Sequence, residues 1–180
     1  MKDFVKAGVF VLLAVCLAIV AGPYSAAAQT QQRVDAKKDW SIFQAGSNNQ
    51  KVCWIVSQPT KTAAYRNGKT VSVQRGDIFL MVSIRPADGV KSEISFLSGY
   101  PFKKGSEVKA VVGSDNFTLF TEGENAWAPS SEDDASLVAA FRAGASARIE
   151  GESSRGTKTV DTFSLSGFTA ALDAAAALCK

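Results

Sequence analysis

The feature that most constrains the fold of this 180-residue chain is a series of short aromatic and β-branched runs, each followed by a turn signal. Residues 39–44, 52–57 and 116–121 are three such runs, and a glycine or proline stands two residues beyond the end of each. Runs of this kind are typical of strands. About eight or nine of them, with turn signals every 8 to 12 residues, predict an antiparallel sandwich or barrel.

Two further patterns refine the strand prediction. The pair Asn67-Gly68 favours a tight hairpin, because both central residues of such a turn need positive φ. Residues 78–84 are almost wholly apolar, which predicts a central strand covered on both faces. In residues 93–97 apolar and polar residues alternate, which predicts a strand with one solvent-exposed face. Residues 145–152 and 157–165 predict a final hairpin.

Two short helices are predicted within this β-rich chain. The first follows Ser130 or Ser131, either of which can cap it, because three acidic residues occupy the next turn. Gly144 is its natural end. The second covers about residues 168–178, where alanine favours helix, and it lies at the C-terminus. Two helices of this length leave the chain in the mainly-β class.

The N-terminus is typical of an export signal. Lys2 and Lys6 precede an apolar run over residues 7–21, which is shorter than the roughly 20 apolar residues of a bilayer-spanning helix. Small residues then lead to Ala28, after which signal peptidase cleavage is expected. Residues 1–28 are therefore predicted to be a signal peptide, with an uncleaved membrane anchor as the alternative.

Cleavage after residue 28 would leave a polar leader over residues 29–38 and a single domain over residues 39–180, with no transmembrane segment. The mature protein is then expected in the periplasm, at the outer envelope or outside the cell. It keeps two cysteines, Cys53 and Cys179, and an even pair in an oxidising compartment predicts a disulfide. A buried thiol with a free terminal thiol is the competing interpretation.

Charge is unevenly distributed along the chain. The formal net charge is +3, which is too small to predict nucleic-acid binding. Residues 51–109 hold ten basic and four acidic residues, whereas residues 115–152 hold two basic and eight acidic residues. These local net charges of +6 and −6 indicate either a mutually compensating surface or a bipolar surface that recruits a charged partner.

The chain contains no histidine, which excludes Ser-His-Asp and Cys-His nucleophile systems and imidazole zinc sites. No cofactor is predicted. A pair of carboxylates could still serve a hydrolase, and the candidates are Asp77, Glu122, Glu124, Asp133 and Asp134. A calcium site is another alternative, because oxygen ligands cluster at Asp115, Glu122, Glu124, Asn125, Asp133 and Asp134.

Aromatic residues in apparent loops are the remaining functional signal. Tyr100, Phe102 and Trp127 are candidate anchors for a partner. Lys103 and Lys104 beside Phe102 would form a polar rim. The alternative is that the three aromatic residues close the ends of the core.

Three stretches together resemble a known family: residues 76–86 (GDIFLMVSIRP), residues 99–105 (GYPFKKG) and residues 164–172 (SLSGFTAAL) before Cys179. The chain from Trp40 to Cys179 resembles the invasion associated locus B family of α-proteobacterial exported proteins. This resemblance implies an immunoglobulin-like β-sandwich and an exported location. Some members are linked to host-cell invasion, and the family offers no agreed catalytic residues.

The function expected from these observations is an exported, non-enzymatic interaction module of the bacterial envelope, with a role in host-cell invasion if the source is a pathogen. Its partner would be an envelope or host-surface protein or glycan. The alternatives are a carboxylate-based periplasmic hydrolase and a sandwich that binds a small ligand or calcium.

Overall fold

The computed structural model of the chain describes residues 31–180, so the predicted signal peptide and its cleavage site lie outside the described residues. Twelve strands and two helices follow one another: β1 (Gln32–Lys37), β2 (Trp40–Ala45), β3 (Val52–Ser57), β4 (Lys61–Arg66), β5 (Lys69–Thr70), β6 (Phe79–Arg85), β7 (Val90–Leu97), β8 (Glu107–Val112), β9 (Asp115–Glu122), β10 (Asn125–Trp127), α1 (Ser131–Ala143), β11 (Ser146–Glu152), β12 (Lys158–Ser164) and α2 (Phe168–Leu178).

Hydrogen bonds join the twelve strands into one sheet with the order β1-β2-β3-β6-β7-β10-β9-β8-β11-β12-β4-β5, and the neighbours are antiparallel. The sheet folds over on itself, so that two strands far apart in its order face each other. The rings of Phe96 in β7 and Phe163 in β12 meet edge to face there, with centroids 6.1 Å apart. The predicted class, a mainly-β antiparallel sandwich with two short helices, one of them C-terminal, is confirmed.

Both helices pack onto the interior of the sandwich. Phe168 at the start of α2 contacts Trp40 of β2 and Phe141 of α1 edge to face, with ring centroids 5.0 and 5.3 Å apart. The side chain of Ser130 accepts a hydrogen bond from the Asp133 N–H, so Ser130 is the cap of α1. Neither helix of residues 31–180 is long and apolar enough to cross a membrane.

A disulfide joins Cys53 in β3 to Cys179 after α2, which confirms the pairing expected from the sequence. It ties the C-terminal helix to an early strand across a sequence separation of 126 residues. Closing a loop of this length stabilises the fold by up to about 4–5 kcal/mol in the chain-entropy model.

Three strand predictions need correction, and one strand was not predicted. Gln32–Lys37, expected within the polar leader, form edge strand β1, because backbone pairing with β2 does not require apolar side chains. Strand β6 alternates between buried and half-buried residues, so only one of its faces is fully covered. Ile94, Ser95 and Phe96 of β7 are all buried, where alternation was expected. Strand β10, of three residues, is too short for a periodic pattern, whereas β5 pairs with β4 in the hairpin expected at Asn67-Gly68.

Candidate functional site

One outer face of the sheet is apolar. Along β3 and β6 the inward residues are buried, whereas the outward residues are half-buried. The neighbouring strands β2, β7, β10 and β9 continue this outward face, on which Ser95 of β7 is buried. Cross-strand pairing places Val56 opposite Met81. We call this surface the apolar outer face, and its large side chains are Phe43, Trp54, Val56, Phe79, Met81, Leu97, Phe120 and Trp127.

The opposite outer face, on β8, β11, β12 and β4, has a different composition. Opposite charges lie across from each other there, with Lys109 beside Glu150 and Lys158 beside Glu152. We call it the charged outer face. Of the large side chains on the apolar outer face, Phe120 is exposed and the others are half-buried. Because clustered apolar side chains that are open to solvent mark contact surfaces, this face is the candidate site.

The apolar outer face ends in a groove where β10 stops. Strand β10 has three residues and its neighbour β7 has eight, so no described strand pairs with β7 before Ser95 on that side. The first turn of α1 begins beside this gap. The resulting groove has a volume of about 830 Å³. Phe120 and Trp127, the aromatic pair, stack in it with ring centroids 5.7 Å apart, and Phe120 is 46% exposed.

Asp134 of α1 takes the place of the missing strand partner. Its Oδ1 accepts a hydrogen bond from the backbone N–H of Ile94 at 2.8 Å. Burial raises the pKa of Asp134 to about 6, against the lowering effect of this hydrogen bond, and the charges of Glu93 and Asp133 raise it further. A half-buried carboxyl in a groove therefore carries the clearest pKa shift of the site, which is a feature of functional positions.

Negative charge dominates the groove. Arg85 donates hydrogen bonds to both carboxylate oxygens of Glu93, at 3.0 and 2.8 Å, and thereby compensates that charge. Lys91 is the one basic residue among those lining the groove in the described chain. The acidic residues that line it are Glu93, Glu122, Glu132 and Asp134.

The predicted contact residues Tyr100 and Phe102 lie side by side, with Phe102 buried in the core and Tyr100 half-buried against it. Phe102 is 7% exposed and contacts the Tyr100 ring edge to face, with centroids 5.3 Å apart. Gly151 provides the space, since a Cβ there would lie 2.8 Å from a ring carbon of Phe102. The expectation that Phe102 projects from a surface loop is therefore corrected: its side chain closes the core.

A buried ion pair accompanies these two rings. Arg75 donates to both carboxylate oxygens of Asp161 at 2.7 Å, and Asp161 is fully buried. The Arg75 guanidinium also lies 4.9 Å from the centroid of the Tyr100 ring. Burial raises the pKa of Tyr100, whose hydroxyl bonds Thr159 at 2.6 Å. We call Arg75, Tyr100, Phe102, Thr159 and Asp161 the Tyr100 cluster.

The other predicted contact residues lie apart from one another. Lys103 pairs with Glu152 of β11 at 3.1 Å, and Lys104 is exposed on the same loop. Trp127 lies on the apolar outer face and lines the groove. The sequence prediction of a strand over residues 116–121 does not single out Phe120, which stacks on Trp127. The signal that could have identified it is the alternation along β9, which turns Phe120 to the outer face and the neighbouring Leu119 to the core.

The candidate catalytic carboxylates do not all lie at one site. Glu122 and Asp134 line the groove together, whereas Asp77, Glu124 and Asp133 do not line it. The residues proposed for calcium do not converge either: within residues 31–180 no three of the acidic or cysteine side chains are grouped as metal ligands would be.

The fold and its disulfide define a class: an antiparallel β-sandwich closed by a bond between an early strand and the C-terminal helix. Residues 40–176 match the family described as Invasion associated locus B (IalB) protein, and the chain belongs to this family. Its fold is similar to the crystal structure of invasion associated protein B from Bartonella henselae, at 21% sequence identity and a TM-score of 0.54. The match covers 80% of this chain and 96% of that one. No curated protein matches the chain.

Proposed function

We propose that the protein is an exported, non-enzymatic interaction module of the bacterial envelope and that the apolar outer face is its contact surface. The observation that carries the proposal is the set of eight large apolar side chains on one outer face of a sheet whose other outer face is charged. The partner is a protein of the envelope or, in a pathogen, of the host surface. A role in invasion is supported by the family and by the name of the Bartonella henselae protein.

The composition of the apolar outer face supports protein contact. Aromatic residues and methionine are enriched at the centres of protein interfaces, and charged residues are depleted there. Phe43 of β2 and Trp54 of β3 stack with ring centroids 5.6 Å apart. Met81 lies on β6, between these two strands and the strands of the aromatic pair. The face therefore offers rigid rings together with one adaptable side chain.

Export is supported by two independent observations. The basic and apolar pattern of residues 1–28 is that of a signal peptide. The disulfide between Cys53 and Cys179 is a bond that persists in oxidising compartments. Both support a location of the apolar outer face outside the cytoplasm, where an envelope or host partner is accessible.

Partner capture tests the proposal. The protein, purified after expression of the full chain, is immobilised and exposed to envelope extracts, and the bound proteins are identified. We expect Trp54→Ala, Phe79→Ala and Met81→Lys each to reduce recovery of the same partner, because each removes apolar contact area or adds a charge to it.

The matched control lies on the charged outer face. Tyr65→Ala and Val160→Ala remove outward apolar side chains from β4 and β12 and should leave recovery unchanged. Thermal unfolding of every variant verifies that the fold is retained. Equal recovery by the variants of both outer faces would reject the apolar outer face as the contact surface.

A carboxylate hydrolase is the second candidate, favoured by Asp134, whose raised pKa of about 6 suits a general acid, and by Glu122 in the same groove. Its test is turnover of envelope polysaccharides by the purified protein. Activity that disappears in both Asp134→Asn and Glu122→Gln, with the fold retained, would support a hydrolase in place of an interaction module.

A further inference from the structure

We propose that the groove beside the aromatic pair binds an extended, arginine- or lysine-bearing segment of the partner protein. This inference rests on the proposed function and names the chemistry of the partner at one end of the apolar outer face. The groove is continuous with that face, because Trp127 and Phe120 belong to both. A partner lying on the face can therefore extend a segment into the groove.

The charge of the groove selects a cationic occupant. Arg85 compensates Glu93, so the carboxylates without an arginine partner are those of Glu122, Glu132 and Asp134, against the single Lys91. Hydrogen bonds from its own backbone N–H and from the hydroxyls of Ser131 and Ser130 lower the pKa of Glu132, which keeps it ionised.

The residues at the margins of the groove add to its negative charge. Glu107 lies opposite Phe120 on β8 and Asp133 lies beside Asp134 on α1, so the margins are also acidic. The whole segment 115–152 has a local net charge of −6. Complementary potential favours a basic partner and disfavours an acidic one.

The aromatic pair supplies the second recognition element. A guanidinium or ammonium group is attracted to the face of an aromatic ring, most strongly to tryptophan, within about 6 Å of its centroid. In this groove such a ring and several carboxylates border the same space. A neutral glycan would use the ring and leave the carboxylates unmatched, whereas a basic peptide uses both.

A labelled peptide provides the probe. The probe is a short fluorescein-labelled peptide with arginine at alternate positions, and a peptide with glutamate at those positions is its counterpart. Binding to the purified protein is measured by fluorescence anisotropy. We expect the arginine peptide to bind, the glutamate peptide not to bind, and the affinity to fall when salt is raised from about 50 to about 500 mM.

Two variants with the same change in net charge locate the binding site. Glu122→Gln, Glu132→Gln and Asp134→Asn together neutralise the groove and should weaken arginine-peptide binding about tenfold. The control neutralises three exposed carboxylates outside the groove, with Asp77→Asn, Asp115→Asn and Asp173→Asn, and should have no comparable effect. Phe120→Ala should weaken binding without changing net charge.

Several outcomes would overturn the inference. Equal weakening by the two charge variants would show that net charge, and not the groove, attracts the peptide. Binding of a neutral glycan in place of the peptide would assign the groove to another occupant. A dimer of the parent protein that sedimentation detects and that the groove variant does not form would assign it to a second copy of the chain. Capture of the envelope partner that depends on Trp54 but not on the groove carboxylates would reject this inference and leave the proposed function intact.

Discussion

The Tyr100 cluster and the aromatic pair each contain two rings in contact, and they differ in their surroundings. Phe102 is 7% exposed and Phe120 is 46% exposed. The charges beside Tyr100 are matched, since the Arg75 guanidinium meets the Asp161 carboxylate at two points. The carboxylates beside Trp127 are mostly unmatched. The first region is therefore built as part of the core, whereas the second leaves a ring and several charges open to solvent, as the proposed contact surface requires.

The comparison predicts its largest effect at Arg75. Arg75→Ala leaves the fully buried Asp161 carboxylate without its cation and should lower the free energy of unfolding by about 3–5 kcal/mol, measured by urea denaturation. The double variant Arg75→Met with Asp161→Leu should be less destabilised, because no charge remains buried. A loss below about 1 kcal/mol in Arg75→Ala would show that the Tyr100 cluster does not stabilise the fold as its geometry indicates.

Phe102 should give the next largest effect. Phe102→Ala removes a ring packed against Phe96 and Tyr100, and we expect a loss of about 3 kcal/mol. Lys104→Ala on the same loop, which removes an exposed side chain, is the control and should change stability by less than about 0.5 kcal/mol. Similar losses in the two variants would mean that the loop itself, and not the buried ring, sets the effect.

Much of the fold could be predicted because local patterns determine it. The capped helix at Ser130, the Asn67-Gly68 hairpin and the Cys53–Cys179 bond each follow from residues whose conformation or chemistry is restricted. Strand β1 could not be predicted, because its stability comes from pairing with β2 and not from its polar side chains.

The candidate site was less predictable for a related reason. The apolar run around Phe79 and Met81 was interpreted as a strand buried on both faces, although it lies in an antiparallel sheet with one outer side half-exposed. The aromatic residues of the loop at 99–105 appeared accessible because Gly151 and Arg75, which enclose them, are distant in sequence. Only the pairing of strands in three dimensions shows that Phe79 and Met81 lie on an outer face and that the ring of Phe102 is enclosed.

A substitution of Asp134 tests the groove beside the aromatic pair. Its expected effect on stability is smaller and depends on pH. The pKa of Asp134, about 6, lies above the ordinary 3.8, so the native state prefers the protonated carboxyl. The corresponding stability is fully present below about pH 4 and is lost as the pH rises through about 6. Asp134→Asn removes the charge and keeps an oxygen that can accept the Ile94 N–H.

We therefore expect Asp134→Asn to be more stable than the parent protein by about 1 kcal/mol at pH 7.5, after allowing for solvent screening of a half-buried group. The difference should vanish near pH 4, where the parent carboxyl is protonated. Thermal unfolding at both pH values measures it, with a Tm difference of about 2–4 °C at pH 7.5. Equal Tm values at both pH values would mean that the groove does not hold a destabilising charge.

The smallest stability effect is expected for the aromatic pair itself. Phe120→Ala removes a ring that is nearly half exposed and stacked on Trp127, so the loss should be about 0.5–1 kcal/mol, well below that of Phe102→Ala. The same variant should reduce partner capture, whereas Phe102→Ala should reduce it only as far as it unfolds the protein. A loss for Phe120→Ala as large as that for Phe102→Ala would remove the distinction, because the aromatic pair would then be part of the structural core and its exposure would no longer indicate a contact surface.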